Sequence, residues 1–105
     1  MGKNRIIKIE NLKNLPHLSI LSLRINQITK IENLEALIQL THLSLNQNQI
    51  EKIEAKSFEQ NQFLTGLRLA NNPVVQLDSG QTNILEEIQK LETLLPSCKV
   101  TLKEN

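Results

Sequence analysis

The 105 residues suffice for one small domain or one short stack of repeats, near the size at which a hydrophobic core becomes self-sufficient. Lysine and arginine (12) nearly balance aspartate and glutamate (11), so overall charge gives no reason to expect nucleic acid or a membrane surface as a partner. Hydrophobic residues make up 39% but aromatics only 2%, so the core has to be built from Leu, Ile and Val rather than around large rings.

The first stretch, NRIIKIENLKNL at 4–15, returns 22 positions later. Asn4, Ile6, Ile9, Glu10, Asn11, Leu12 and Leu15 recur as Asn26, Ile28, Ile31, Glu32, Asn33, Leu34 and Leu37. A period of this length signals stacked units, each burying its apolar side against the next. Residues 4–18 supply the return half of a unit whose own strand is missing. Ile6, Ile7, Ile9 and Leu12 are therefore expected to lack a covering layer, and the strand at Leu21–Leu23 to be an open sheet edge. Such an end should associate with an identical chain or with upstream sequence. The alternative is that residues before about Ile9 fold back as a cap, kept soluble by Lys3, Arg5 and Lys8.

Three copies of Leu-x-x-Leu-x-Leu-x-x-Asn-x-aliphatic follow. They run Leu18, Leu21, Leu23, Asn26, Ile28; Leu40, Leu43, Leu45, Asn48, Ile50; and Leu64, Leu67, Leu69, Asn72, Val74. Each Leu-x-Leu alternates with period two and predicts a short strand with one buried face, the strands lying parallel in one sheet. Each asparagine ends its strand. Its carboxamide both donates and accepts, so Asn26, Asn48 and Asn72 are expected to form a buried ladder bonding the backbone of neighbouring turns.

Between the strands, Ile28, Ile31, Leu34, Leu37 and Leu40 recur every third residue, which predicts extended turns or short 3-10 segments on a thin convex side. The next unit is two residues longer, and Phe58 takes the place of Leu34 two residues late. Phe58 and Phe63 are expected to fill a wider interior there, with Asn61 at an outer position. After Leu77, the turn-rich DSGQTN at 78–83 leads into ILEEIQKLETLLP. Ile84, Ile88, Leu91 and Leu95 share one helical stripe, Asn83 with Glu86 resembles a capping box, and Pro96 stops the helix. The alternation Cys98-Lys-Val100-Thr-Leu102 predicts a last strand, so that 78–105 closes the repeats of 4–77 as a helix-strand cap within one domain of 1–105.

These motifs, from about Asn4 to Leu102, resemble leucine-rich repeats. IENL at 22-residue spacing is similar to the short intracellular class, as in a regulatory subunit of type 1 protein phosphatase, the leucine-rich light chain of axonemal dynein and a spliceosomal ribonucleoprotein subunit. The Phe58 unit is closer to the longer repeats common outside the cell. The resemblance implies an α/β right-handed solenoid with a short parallel sheet on the concave side, and the role of a regulatory or adaptor subunit.

Catalytic chemistry has little to stand on. His17, His42 and Cys98 lack metal-ligand spacing, Cys98 has no histidine in phase with it, and only Gly2, Gly66 and Gly80 are available for a phosphate loop. Glu10, Glu32 and Glu54 recur on the outer turn as a solvated edge. No enzyme, cofactor or metal is expected. A single cysteine and no N-x-Ser/Thr sequon point to an intracellular protein, cytoplasmic or nuclear.

Function is then expected on the sheet face that the leucines leave free. The outward positions are Ile20, Ser22, Arg24 and Ile25; His42, Ser44, Asn46 and Gln47; Gly66, Arg68, Ala70 and Asn71. Exposed Ile20 and Ile25 beside two arginines suggest a small binding patch. A three- or four-strand face is only about 15 Å wide at strand spacings of about 4.8 Å, so a peptide or helix fits it better than a large globular partner. Two readings stand at this point: a protein-interaction module without nucleic-acid or membrane binding, or a structural piece that stacks end-on with further repeats or with itself.

Overall fold

The structure, a computed structural model, describes residues 5–76 and 84–103. Four parallel strands of three residues each form one sheet in chain order: β1 (Ile20–Ser22), β2 (His42–Ser44), β3 (Gly66–Arg68) and β4 (Lys99–Thr101). The register stacks Leu21 on Leu43, Leu43 on Leu67 and Leu67 on Val100. Each strand therefore sends one aliphatic side chain inward onto its own image. The ladder runs past the strand ends, where the N–H groups of Leu23 and Ile25 donate to the carbonyls of Ser44 and Asn46, both at 2.9 Å.

Leu43, Leu45, Leu67 and Leu69 are fully buried, whereas Leu21 and Leu23 are only half-buried. The difference is positional. Among the described residues β1 pairs on one side only, and each leucine fully removed from water contributes about 1.5 to 3 kcal/mol that this first layer collects only in part.

Past each strand the chain turns sharply. Ile25, Gln47 and Asn71 take φ of 60°, 60° and 61°, a left-handed conformation. Asn and Gln tolerate it better than a β-branched residue does, so Ile25 is strained there. Directly after these residues come Asn26, Asn48 and Asn72, all buried. The Asn48 Oδ1 accepts the Ile28 N–H at 3.0 Å, and the Asn72 Oδ1 accepts the Ile50 N–H at 3.0 Å. Their amide groups donate to strand-end carbonyls, Asn48 to Leu23 and Leu45 and Asn72 to Leu45 and Leu69. The asparagines thus supply the acceptors for the Ile28 and Ile50 N–H groups at the bend.

The return segments are chains of i to i+3 turns. Leu37 N–H donates to Leu34 and Leu40 N–H to Leu37, and the same pair of bonds recurs at Leu15 and Leu18 and at Asn61 and Leu64. The longer unit places its two extra residues in a 3-10 helix, Ala55–Phe58, that buries Phe58 completely. Two expectations fail in that unit. Asn61 is fully buried, because in the stacked turns it occupies the position of Leu37 one layer earlier, and its amide donates to the carbonyls of Leu34 and Leu37 at 3.0 Å each. Phe63 is 64% exposed, because the adjacent Leu64 takes the inward place.

A one-turn helix, α1 (Pro73–Gln76), follows β3, and the longer α2 (Ile84–Leu94) packs against the 3-10 helix. Ile84 and Leu91, with Leu95 just past the helix end, are its buried apolar residues, Ile88 being half-buried. A carboxylate also anchors it: the Glu87 Oε1 accepts the N–H of Ala55 at 2.8 Å, and Lys90 bonds the same carboxylate at 3.0 Å. Those bonds hold the Glu87 carboxyl below the ordinary glutamate range, the Ala55 N–H being the larger cause. The expected capping pair rests on Asn83, which, with 78–82 and Leu77, lies outside the described residues.

At the other end, Ile6 repeats the role of Ile28: its N–H donates to the Asn26 Oδ1 at 3.1 Å and its carbonyl accepts from Gln27 at 2.8 Å. Residues 5–9 therefore continue the stack on the turn side rather than folding over β1. Among the described residues nothing pairs with the outer edge of β1.

Candidate functional site

The strand register fixes what the open face of the sheet presents. Ile20, His42, Gly66 and Lys99 form one row across the four strands, and Ser22, Ser44, Arg68 and Thr101 form the next. Strand alternation puts these side chains opposite the buried leucines. Ile20 is 65% exposed, and Ser22, His42, Arg68 and Lys99 are exposed too.

His42 is held in place from two directions. Its Nδ1 lies 3.0 Å from the Thr41 Oγ1, whose own proton goes to the Ser19 carbonyl at 2.9 Å. The threonine oxygen is thereby left to accept from Nδ1–H. The ring then lies across Gly66, where a β-carbon would come within 2.9 Å of the His42 Cδ2. Glycine is needed at 66 for this close approach. Ser22, Ser44 and Gly66, with small side chains or none, floor a shallow hollow of about 230 Å³ between Ile20, His42 and Arg68.

Not every outward candidate reaches this face. Asn46 is buried at the rim of the sheet, where its Oδ1 accepts the Ala70 N–H at 2.8 Å; Ala70 is buried with it. Ile25, Gln47 and Asn71 sit at the left-handed turns, past the strands. They line a separate hollow of about 730 Å³ with Gln27 and Gln49, at the strand ends. Arg24 continues the outward side of β1 and is exposed.

Sequence reasoning also missed residues. Aligning only the three leucine motifs left out β4, which adds Lys99 and Thr101 to the face and Lys103 beyond them. The signal was present in the alternation of 98–102, whose buried Cys98 and half-buried Val100 and Leu102 leave the odd positions pointing out.

Elsewhere the surface offers less. A hollow of about 640 Å³ lies along the return turns, lined by both signs of charge, including Lys52 and Glu54 at 3.7 Å from each other. Cys98 is buried, and burial pushes its thiol above the ordinary value, which disfavours the reactive thiolate. Among the described residues no three of His, Cys, Asp and Glu lie together as a metal site, and no helix is long and apolar enough to cross a membrane.

Compared with known families, residues 16–74 match the family described as leucine rich repeat, a span running from ahead of β1 to the start of α1. No curated protein matches the chain.

Proposed function

The chain belongs to the leucine-rich repeat family, and from that premise we propose that it is a non-enzymatic interaction module that takes a protein or peptide on the open face of its sheet. Domains of this family generally mediate protein–protein interactions and are typically not enzymes. The observation that carries the reading is the exposed group of Ile20, Ser22, His42 and Arg68 around a small hollow. Their positions are free of the leucine packing rule, and one of them is a large aliphatic left in water. A role as a regulatory or adaptor subunit inside the cell, in the cytoplasm or nucleus, goes with it, as does a solenoid shape in which this face is the concave one. Affinity capture with the wild type, with Arg24→Glu/Arg68→Glu and with Lys30→Glu/Lys52→Glu on the return turns tests it. Loss of bound protein only in the first variant supports the open face. Equal retention by both moves the site elsewhere.

A second reading has its own observation. Ile6 and Ile7 are 44% and 66% exposed, and Leu21 and Leu23 are half-buried on a strand whose outer edge is unpaired among the described residues. That end suits stacking against a second copy or a further repeat. Sedimentation across a concentration series decides it: a monomer throughout, for both the wild type and Ile6→Lys/Ile7→Lys, removes this reading.

A further inference from the structure

Charge on this molecule is segregated in a way its near-neutral total conceals. The stretches that build the sheet and its margins, 19–25, 41–47, 65–71 and 98–103, contain no aspartate or glutamate. They contain Arg24, Arg68, Lys99 and Lys103. The described carboxylates all lie on the return turns, the ends of the layers or α2, where Glu54 and Glu87 have lysine partners. Arg68, Lys99 and Lys103 make no ion pair among the described residues.

The register gathers three of these cations. Arg68 stands opposite Thr101, and Lys99 and Lys103 flank Thr101 two residues to either side. With strands about 4.8 Å apart and a rise of about 3.3 Å per residue, the Lys99 backbone lies about 8 Å from that of Arg68, and Lys103 follows two residues past the end of β4. Their long side chains can converge on one group between them. The opposite edge carries an exposed aliphatic side chain: Ile20 shares a row with Lys99 and lies three strand spacings away, about 14 Å.

Resting on the open-face reading above, we infer that the partner segment is an acidic peptide stretch. It lies across the strands with its carboxylates at Arg68, Lys99 and Lys103 and an apolar side chain against Ile20. About four extended residues span the distance between the two ends. Like-signed charges held on one face, with no carboxylate between them among the described residues, repel one another, and an acidic ligand relieves that repulsion. Protein suits the face better than nucleic acid, because neither phenylalanine stands in a strand of the face and the sequence has no Tyr or Trp.

The test uses a short fluorescein-labelled peptide carrying one leucine and a run of glutamates, its glutamine counterpart, and its lysine counterpart. Fluorescence anisotropy should show binding of the glutamate peptide only, weakened as salt rises from about 0.1 M to about 1 M and the Debye length falls from about 10 Å to about 3 Å. Arg68→Glu/Lys99→Glu should weaken that binding roughly tenfold or more and bring in the lysine peptide, whereas Lys30→Glu/Lys52→Glu, with the same change in net charge, should leave it nearly intact. All four positions are exposed, and an unchanged thermal midpoint verifies folding. Equal binding of the glutamate and glutamine peptides, equal losses in the two double variants, or tighter binding of oligothymidylate or phosphatidylserine vesicles would overturn the inference. If captured protein still depends on Arg24 and Arg68 while the glutamate peptide fails, the open-face reading stands and the acidic partner falls.

Discussion

Replacing Asn48 with alanine separates a buried asparagine ladder from an ordinary surface turn. Its Nδ2 bonds to Leu23 and Leu45 are each backed by a second donor, since Asn26 also reaches the Leu23 carbonyl at 2.9 Å and Asn72 the Leu45 carbonyl at 2.8 Å. Its Oδ1 has no such understudy: Ile28, fully buried, directs its N–H at that atom. Asn48→Ala therefore orphans one buried donor and should cost about 1 to 3 kcal/mol. Asn26→Ala makes the same chemical change one layer earlier, where the donor belongs to Ile6, 44% exposed and open to water. That variant should cost only about 0.5 to 1.5 kcal/mol, the net worth of a hydrogen bond that water can replace. Urea denaturation followed by circular dichroism reads both, with m-values unchanged. Asn72→Ala, which orphans the Ile50 N–H, should follow Asn48. An Asn26→Ala loss as large as that of Asn48→Ala would refute the reasoning.

Asn61→Ala should destabilise by about 1 to 3 kcal/mol in the same assay, because the position is fully buried and its amide serves two carbonyls; a midpoint equal to wild type would return Asn61 to the surface. Ile25→Asn should stabilise by about 1 kcal/mol through relief of the left-handed backbone, and a lower midpoint would show that the side chain's packing outweighs the strain. Glu87 binds its proton less readily folded than unfolded, so its stabilisation is whole above the ordinary glutamate value near 4.3 and is lost as pH falls through its lower folded value. Glu87→Gln keeps an acceptor for Ala55 but should flatten the acid limb of the stability–pH curve, and an unchanged limb would exclude Glu87 from it.

What the chain alone determined was the repeat and its phase. In a stack, the contacts that matter join a residue to its equivalent one period away, so aligning the sequence with itself already pairs Leu21 with Leu43 and Asn26 with Asn48. The two-residue step of Leu-x-Leu and the three-residue step of the return half then give the strands and turns. Where that symmetry breaks, the tertiary structure decided. Asn61 looked like a polar outer residue until the stacked turns put it in the place of Leu37. Asn46 looked free until the left-handed bend at Gln47 brought its carboxamide to the Ala70 N–H. Glu87 meets Ala55 across 32 residues with no repeat relation between them. Lys99 and Lys103 joined the open face only because β4 pairs with β3, a contact between unlike sequences that self-alignment could not foresee. Periodicity encodes contacts between like residues, whereas contacts between unlike ones depend on how the closing helix and strand dock on the last layer.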